Sequence, residues 1–343
     1  MMAANVVSGL PANPVAASAY SHIRNVTVFP NGTWIENIAV RWNGNLLVTL
    51  LNRPEVWEVE PLTGHSELVY SFPEATGTLG IAEIEHDVFA VNVGNSTLPA
   101  TGVPGTWSIW TLDYNAGRPA KTSGGLSKTP AGKKVAAIPA AVFLNGLAAL
   151  PTLPGVVLTA DSFLGQVLAV DTKKGNWSVA IDLPELKANL TAVAQLGVNG
   201  LHIRDKHLYF TNSFKSPVLA KIPLSRDGHA AGPVQTIINS PQYQALVGYY
   251  ADDFALDARL EYAWLTTDPS NVVVKISLAT DKQQVVAGAA SDPTVAGATS
   301  AAFGRRWEDI HTLYIVTNGG LANPSSAGVT GGKIVALNTD YYY

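Results

Sequence analysis

The sequence has 343 residues, a formal net charge of −4 with only 14% charged side chains, and no cysteine. No run of Lys or Arg exceeds two residues, so the electrostatic footprint of a nucleic-acid or anionic-membrane partner is missing, and no window approaches the roughly 18 apolar residues of a membrane helix. Without cysteine there is no disulfide, thiolate metal site or cysteine nucleophile, and stability has to come from packing and closure of the fold.

Residues 1–20 read as a poorly structured N-terminal segment. Its start, MMAANVVSGLPANPV, has neither the basic stretch nor the apolar run of a secretory signal. Five Asn-X-Ser/Thr sequons, at Asn25, Asn31, Asn95, Asn176 and Asn189, exceed the roughly three expected by chance and lean toward a secreted glycoprotein. Residues Ile23–Phe29 then form a first short strand. From Glu36 onward one unit recurs: a polar residue opening a strand, a turn, a very apolar second strand ending in a polar pair, then a third and a fourth strand. In the first copy Trp42-Asn43-Gly44-Asn45 and Pro61-Leu62-Thr63-Gly64 supply the hairpin turns. Later copies open at Leu79-Gly80-Ile81, Asn145-Gly146-Leu147, Asn199-Gly200-Leu201, Asp252-Asp253-Phe254 and Thr299-Ser300-Ala301. Their second strands are predicted at Val88–Val91, Gly155–Thr159, His207–Thr211, Tyr262–Thr266 and Thr312–Thr317. These are the near-continuous apolar runs of strands buried on both faces. Third strands follow at Trp107–Leu112, Gln166–Asp171, Val218–Ile222, Val272–Ile276 and Lys333–Leu337.

Six copies predict an all-β fold, a six-bladed β-propeller, with residues 1–343 as one domain. The sixth copy reaches Tyr343 with only three strands, so Ile23–Phe29 is expected to complete that blade and close the ring. Two unrelated β domains would need a linker, and none is visible.

In an antiparallel blade the start of strand one and the end of strand two lie on the same face. Strand-one openings thus aim Glu36, Asn145, Asn199 and Asp252 at one mouth of the central channel, where blades two and six place Leu79 and Thr299. Second-strand ends add Asn52, Asn92, Asp161, Asn212, Asp268 and Asn318. The openings form a hard oxygen-donor set suited to Ca²⁺, Mg²⁺ or Mn²⁺. The same residue types also cap turns and bind water in a solvated channel. Trp34, Phe143 and Tyr250 stand two residues before ring openings, with Tyr249 and Phe214 close by. They either stack on an apolar ligand or pack between blades. Of seven histidines, only His202 falls on a channel-lining strand, where a structural role is expected. A Ser–His–Asp triad is not indicated, nor is a phosphate-binding glycine loop.

Glu36, the two Asn-Gly-Leu openings at Asn145 and Asn199, and Asp252-Asp-Phe-Ala-Leu-Asp257 resemble the senescence marker protein/gluconolactonase family of six-bladed propellers. The likeness runs along nearly the whole chain. It implies a divalent metal held by Glu36, Asn199 and Asp252, with Asn145 at the substrate and Asp252 as the base of lactone hydrolysis. Phe-Pro-Asn-Gly-Thr-Trp-Ile-Glu-Asn-Ile-Ala-Val-Arg, Gly-Ile-Ala-Glu and Thr-Ser-Ala-Ala-Phe-Gly-Arg are similar to a fungal branch. That branch includes hetero-Diels–Alderases joining a tropolone-derived o-quinone methide to a humulene-type sesquiterpene. Asp253 departs from the lactonase pattern, where Gly is common. A lactonase needs a Lewis-acid metal and a base. A cycloaddition needs only register and a hydrogen-bond donor, with Asn145, Asn199 and Asp252 as the catalytic candidates and no cofactor required. The aromatic surround and the lack of a histidine base favour the cyclase, acting on a small apolar or aromatic substrate. A metal-dependent lactonase or esterase is the alternative, and a non-catalytic ligand-binding propeller the third reading.

Overall fold

Alternating and continuous apolar runs sort themselves by how many faces they bury. Leu46–Leu50 is buried along its whole length and Val156–Asp161 nearly so, whereas the peripheral Ser66–Ser71 and Gln235–Ile238 are mostly open to solvent. The computed structural model describes residues 22–98, 100–119, 128–191, 195–239 and 250–343. The predicted segment 1–20 and Tyr249 lie outside them.

Six four-stranded antiparallel sheets form a six-bladed propeller. Blade one holds Ile35–Val40, Leu46–Leu50, Glu55–Val59 and Ser66–Ser71, and blade two Gly77–Glu85, Val88–Gly94, Ser108–Pro119 and Lys128–Ala137. Leu144–Ala149, Val156–Asp161, Gln166–Asp171 and Trp177–Ile181 form blade three, and Val198–Arg204, His207–Asn212, Leu219–Pro223 and Gln235–Ile238 blade four. Blade five comprises Phe254–Leu256, Tyr262–Thr267, Val272–Ser277 and Gln283–Gly288, while blade six has Ala298–Phe303, Thr312–Thr317 and Gly331–Asn338. The fourth strand of blade six is Ile23–Asn31, whose pairing runs from Ile23 opposite Leu337 to Asn31 opposite Gly331.

Two elements differ from the sequence expectation. Blade two's third strand extends to Pro119, well past Leu112, because beyond Asp113 it no longer pairs with Val88–Gly94 and continues only as a hairpin with Lys128–Ala137. In blade five the inner strand starts at Phe254, after Asp252 and Asp253 have bonded outward through their backbones to Thr266 (3.0 Å) and Thr299 (3.2 Å).

The glycines at the strand-one openings have a packing cause. A Cβ on Gly80 would sit 2.3 Å from the Asn145 carbonyl oxygen, and one on Gly146 2.2 Å from that of Asn199. On Gly200 it would lie 2.2 Å from Asp253 Oδ1. Inner strands of successive blades therefore touch through backbone, which only Gly permits. Side chains then bond across the seams between blades. Thr78 Oγ1 of blade two reaches back to the Leu50 carbonyl of blade one (3.2 Å), whereas Asn92 Nδ2 reaches forward to the Asn145 carbonyl at the opening of blade three (2.6 Å). Thr266 Oγ1 donates to Thr299 (2.9 Å), Thr299 Oγ1 to Ile35 (2.7 Å), and Thr211 Oγ1 to Asp252. Further out, Arg41 joins blades one and two. It pairs with Glu58 and Asp87, each at 2.6 Å, and lies 3.6 Å from the Tyr114 ring centroid.

Candidate active site

The inter-blade contacts fix where each opening residue points. Glu36, Asn145, Asn199 and Asp252 all line one cavity of about 510 Å³ at the channel mouth, together with Asp268. Trp34, Phe143, Phe214 and Tyr250 line it too, so nine predicted site residues converge.

Hydrogen bonds orient the floor. Trp34 Nε1 donates to Glu36 Oε2 at 2.6 Å. Asn199 Nδ2 donates to both Asp252 Oδ1 and Ser213 Oγ, each at 2.9 Å. The Asn145 amide, only 4% exposed, makes no side-chain hydrogen bond among the described residues. Asp268 Oδ1 and Asn318 Nδ2 are both buried without a partner of good geometry, although Asn318 is close enough to favour the ionised form of Asp268.

Three carboxyls in one desolvated place cannot all ionise cheaply. Burial foremost, then the charges of Asp268 and Asp253, push Glu36 up to about 8 against the opposing Trp34 hydrogen bond. Burial likewise raises Asp268 to about 7. Asp252 is raised well above the usual carboxylate range, first by burial and then by Glu36, Asp268 and Asp253. Near pH 7 Glu36 is therefore mostly protonated and Asp268 about half so, while Asp252 is biased toward its neutral form.

The other predicted residues sit outside the lining. Asn52 Oδ1 accepts from Trp34 N and its Nδ2 donates to the Gly32 carbonyl. Asp161 accepts from the backbone of Val142, Phe143, Phe163 and Leu164. Asn212 accepts from Phe214 and Lys215 and donates to the carbonyls of Glu185 and Lys187, while Asn318 accepts from Gly320 and Leu321. Asn92 is spent on the Asn145 carbonyl and Thr159. These side chains hold the loops that carry the lining.

Sequence reasoning missed Phe163, Leu196 and Ser213 in the lining. One signal was present. Phe163 follows Asp161 at the same offset as Phe214 follows Asn212, so equivalent loop positions of adjacent blades deliver both rings. None of the seven histidines lines this cavity; His202 instead lies 3.4 Å from Asp253 Oδ1 and packs edge-on to Phe254. A wider cavity of about 740 Å³ opens at the opposite mouth, lined in part by Arg204, Arg259 and Arg305. It contains no ring-opening residue, and the acid-floored cavity is the better candidate because buried, shifted titratable groups gather there.

Trp34 occupies one Glu36 oxygen and Asn199 Nδ2 one Asp252 oxygen, which leaves the second oxygen of each carboxyl and Asn199 Oδ1 as the donors these three residues could turn to a divalent cation. Among the described residues no group of three or more His, Cys, Asp or Glu side chains is arranged to hold a metal ion.

No family model matches the chain. A Phoma sp protein carrying the provisional name hetero-Diels-Alderase is 30% identical over 319 residues, covering 84% of this chain and 85% of its own length. A Sarocladium schorii protein with the provisional name hetero-Diels-Alderase asR5 is 30% identical over 325 residues, covering 85% and 77%. Among solved structures, a luciferin-regenerating enzyme superposes with TM-score 0.63 at 14% identity, covering 92% of this chain and 94% of that one. Regucalcin, a calcium-binding protein of Agrobacterium tumefaciens, gives 0.54 at 15% identity, covering 91% and 95%. The two structural likenesses bear on the fold alone. With two relatives 30% identical over most of their lengths, the chain belongs to the hetero-Diels–Alderase family and is an enzyme of the cyclase type.

Proposed function

We propose that the chain catalyses a hetero-Diels–Alder cycloaddition between a tropolone-derived o-quinone methide and a humulene-type sesquiterpene in the acid-floored cavity. The reaction joins a C=C–C=O unit to an alkene: one C–C and one C–O bond form, three π bonds give way to one, and no atom leaves. No nucleophile or metal enters this step. Catalysis then has two parts, holding the addends in register and drawing electron density from the enone oxygen.

The observation that carries this reading is a cavity whose floor holds buried, hydrogen-bonded carboxyls beneath aromatic walls. Burial favours the protonated forms of Glu36 and Asp252, and a protonated carboxyl here donates a hydrogen bond to the enone oxygen, as a carboxylate could not. The free Asn145 amide offers another donor on the same floor. Phe163, Phe214 and Tyr250 supply flat apolar contact for both addends, with Trp34 and Phe143 buried behind Phe163. One donor of this kind is worth roughly 10²–10³ in rate where charge develops in a dry site.

The test is to generate the o-quinone methide in the presence of the sesquiterpene, with and without the protein and with a chelator. Acceleration and a fixed diastereomer ratio that survive chelation support the cyclase. If rate and ratio are unchanged by the protein, while lactones are hydrolysed only with Ca²⁺, Mn²⁺ or Zn²⁺, the reading is wrong and the site is a lactonase.

A further inference from the structure

The two aromatic walls of the cavity differ in chemistry. On the blade-three side, Phe143 meets Trp107 edge-to-face at 5.4 Å and Phe163 at 5.6 Å. Ala100, Phe163 and Leu196 pack on the same hydrophobic cluster, which also contains Trp34 and Phe143. Asp161 beside this wall has its oxygens spent on backbone N–H groups, Glu36 accepts from Trp34 at the floor, and Thr101 and Gln195 add polar groups at the lining. Between them, Ala100, Phe163 and Leu196 make this wall mainly hydrocarbon.

On the other side Phe214 meets Tyr250 edge-to-face at 5.0 Å. Each ring sits beside a polar lining residue in the chain: Phe214 follows Ser213, and Tyr250 precedes Asp252 by two. Asn199 binds Ser213 and Asp252 together. This second wall is thus aromatic and edged by a hydrogen-bonding array.

We infer that the cavity holds two unlike subsites, a hydrocarbon subsite at Phe163 and Leu196 and an oxygenated-ring subsite at Phe214 and Tyr250, and that Phe163 is the specificity-determining residue for the alkene addend. This rests on the cycloaddition reading. The planar, oxygen-bearing ring lies against Phe214 and Tyr250 with its oxygens toward Asn199, Ser213 and Asp252. A flexible hydrocarbon ring has no use for those groups, and burying it against them would strand their polar atoms. It takes the opposite wall, and the shape of that wall sets which alkene face meets the heterodiene.

Binding of each addend alone separates the subsites without turnover. Tropolone and humulene are titrated separately into the unmodified chain and into Phe163→Ala, Leu196→Ala and Phe214→Ala, with folding checked by circular dichroism. Losing the contact area of one aromatic side chain predicts roughly tenfold weaker humulene binding for Phe163→Ala with tropolone within about twofold, and the reverse for Phe214→Ala. Phe163→Ala and Leu196→Ala are also expected to change the diastereomer ratio of the adduct. If each variant weakens both ligands alike, the two-subsite assignment falls while the cyclase reading stands. If neither ligand binds the unmodified chain, both fall.

Discussion

Replacing Glu36 with Gln tests the electrostatics of the floor independently of any substrate. Gln keeps the size of the side chain and an oxygen for Trp34 Nε1, but cannot ionise. In the folded chain Glu36 is held at about 8 rather than the ordinary 4.5, so the folded state binds a proton that the unfolded chain releases. Below pH 4.5 both states are protonated and the residue costs nothing. As pH rises the cost grows by about 1.4 kcal/mol per pH unit until the folded carboxyl itself ionises near 8, reaching about 3 kcal/mol at pH 7. The variant should therefore be more stable than the parent by about 3 kcal/mol at pH 7, with the gap closing toward pH 4.5. Urea unfolding of both proteins at half-unit pH steps reads this directly. A constant gap across pH, or one that widens on acidification, would show that Glu36 is not held protonated and would remove the donor from the proposed mechanism.

The same carboxyls set the pH dependence of turnover: the initial cycloaddition rate should fall as pH rises past 7 to 8, because Asp268 and Glu36 lose their protons there. A rate rising through that window refutes acid donation. Asp161→Ala leaves four backbone N–H groups without their acceptor, and denaturant melts should show a loss of roughly 2–4 kcal/mol. Arg41→Met strands Glu58 and Asp87 between blades one and two, predicting about 3–5 kcal/mol of destabilisation with the cavity intact in any protein that stays folded. A Cβ on Gly102 would lie 1.9 Å from the Val142 carbonyl oxygen and within 3 Å of Phe143. Thr101 lines the cavity from the short strand Thr101–Gly102, paired with Ser96–Thr97, so Gly102→Ala should push that strand away and alter product ratio more than stability; unchanged product would show that this strand does not shape the site.

The blades were legible because each carries its own evidence: an apolar second strand, turn residues on either side and a polar opening at a constant place. The openings could be read as a ring because the antiparallel order puts every strand-one start on one face. Second-strand ends were harder. Asn and Asp at those positions are chemically alike whether they face a ligand or a loop, and the direction of the side chain is set by the turn that follows. Asp161 precedes Gly165, at φ +60°, and Asn318 precedes Gly319 and Gly320, at φ +72° and +82°. Those left-handed glycines fold the loop back over the side chain and consume it. Leu196 and Ser213 gave no periodic signal, since they lie in connections just before or after strands.

The hydrogen bonds that cross from blade to blade have a kinetic meaning. Thr299 reaches Ile35, so the last blade holds the backbone one residue from Glu36, and that last blade is itself completed by Ile23–Asn31. Peeling away that edge strand would thus loosen blade six and, through Thr299, the Glu36 part of the cavity floor in the neighbouring blade. Local opening at the chain's start and loss of the site are then a single event, and the lifetime of the enzyme on heating is the lifetime of that seam.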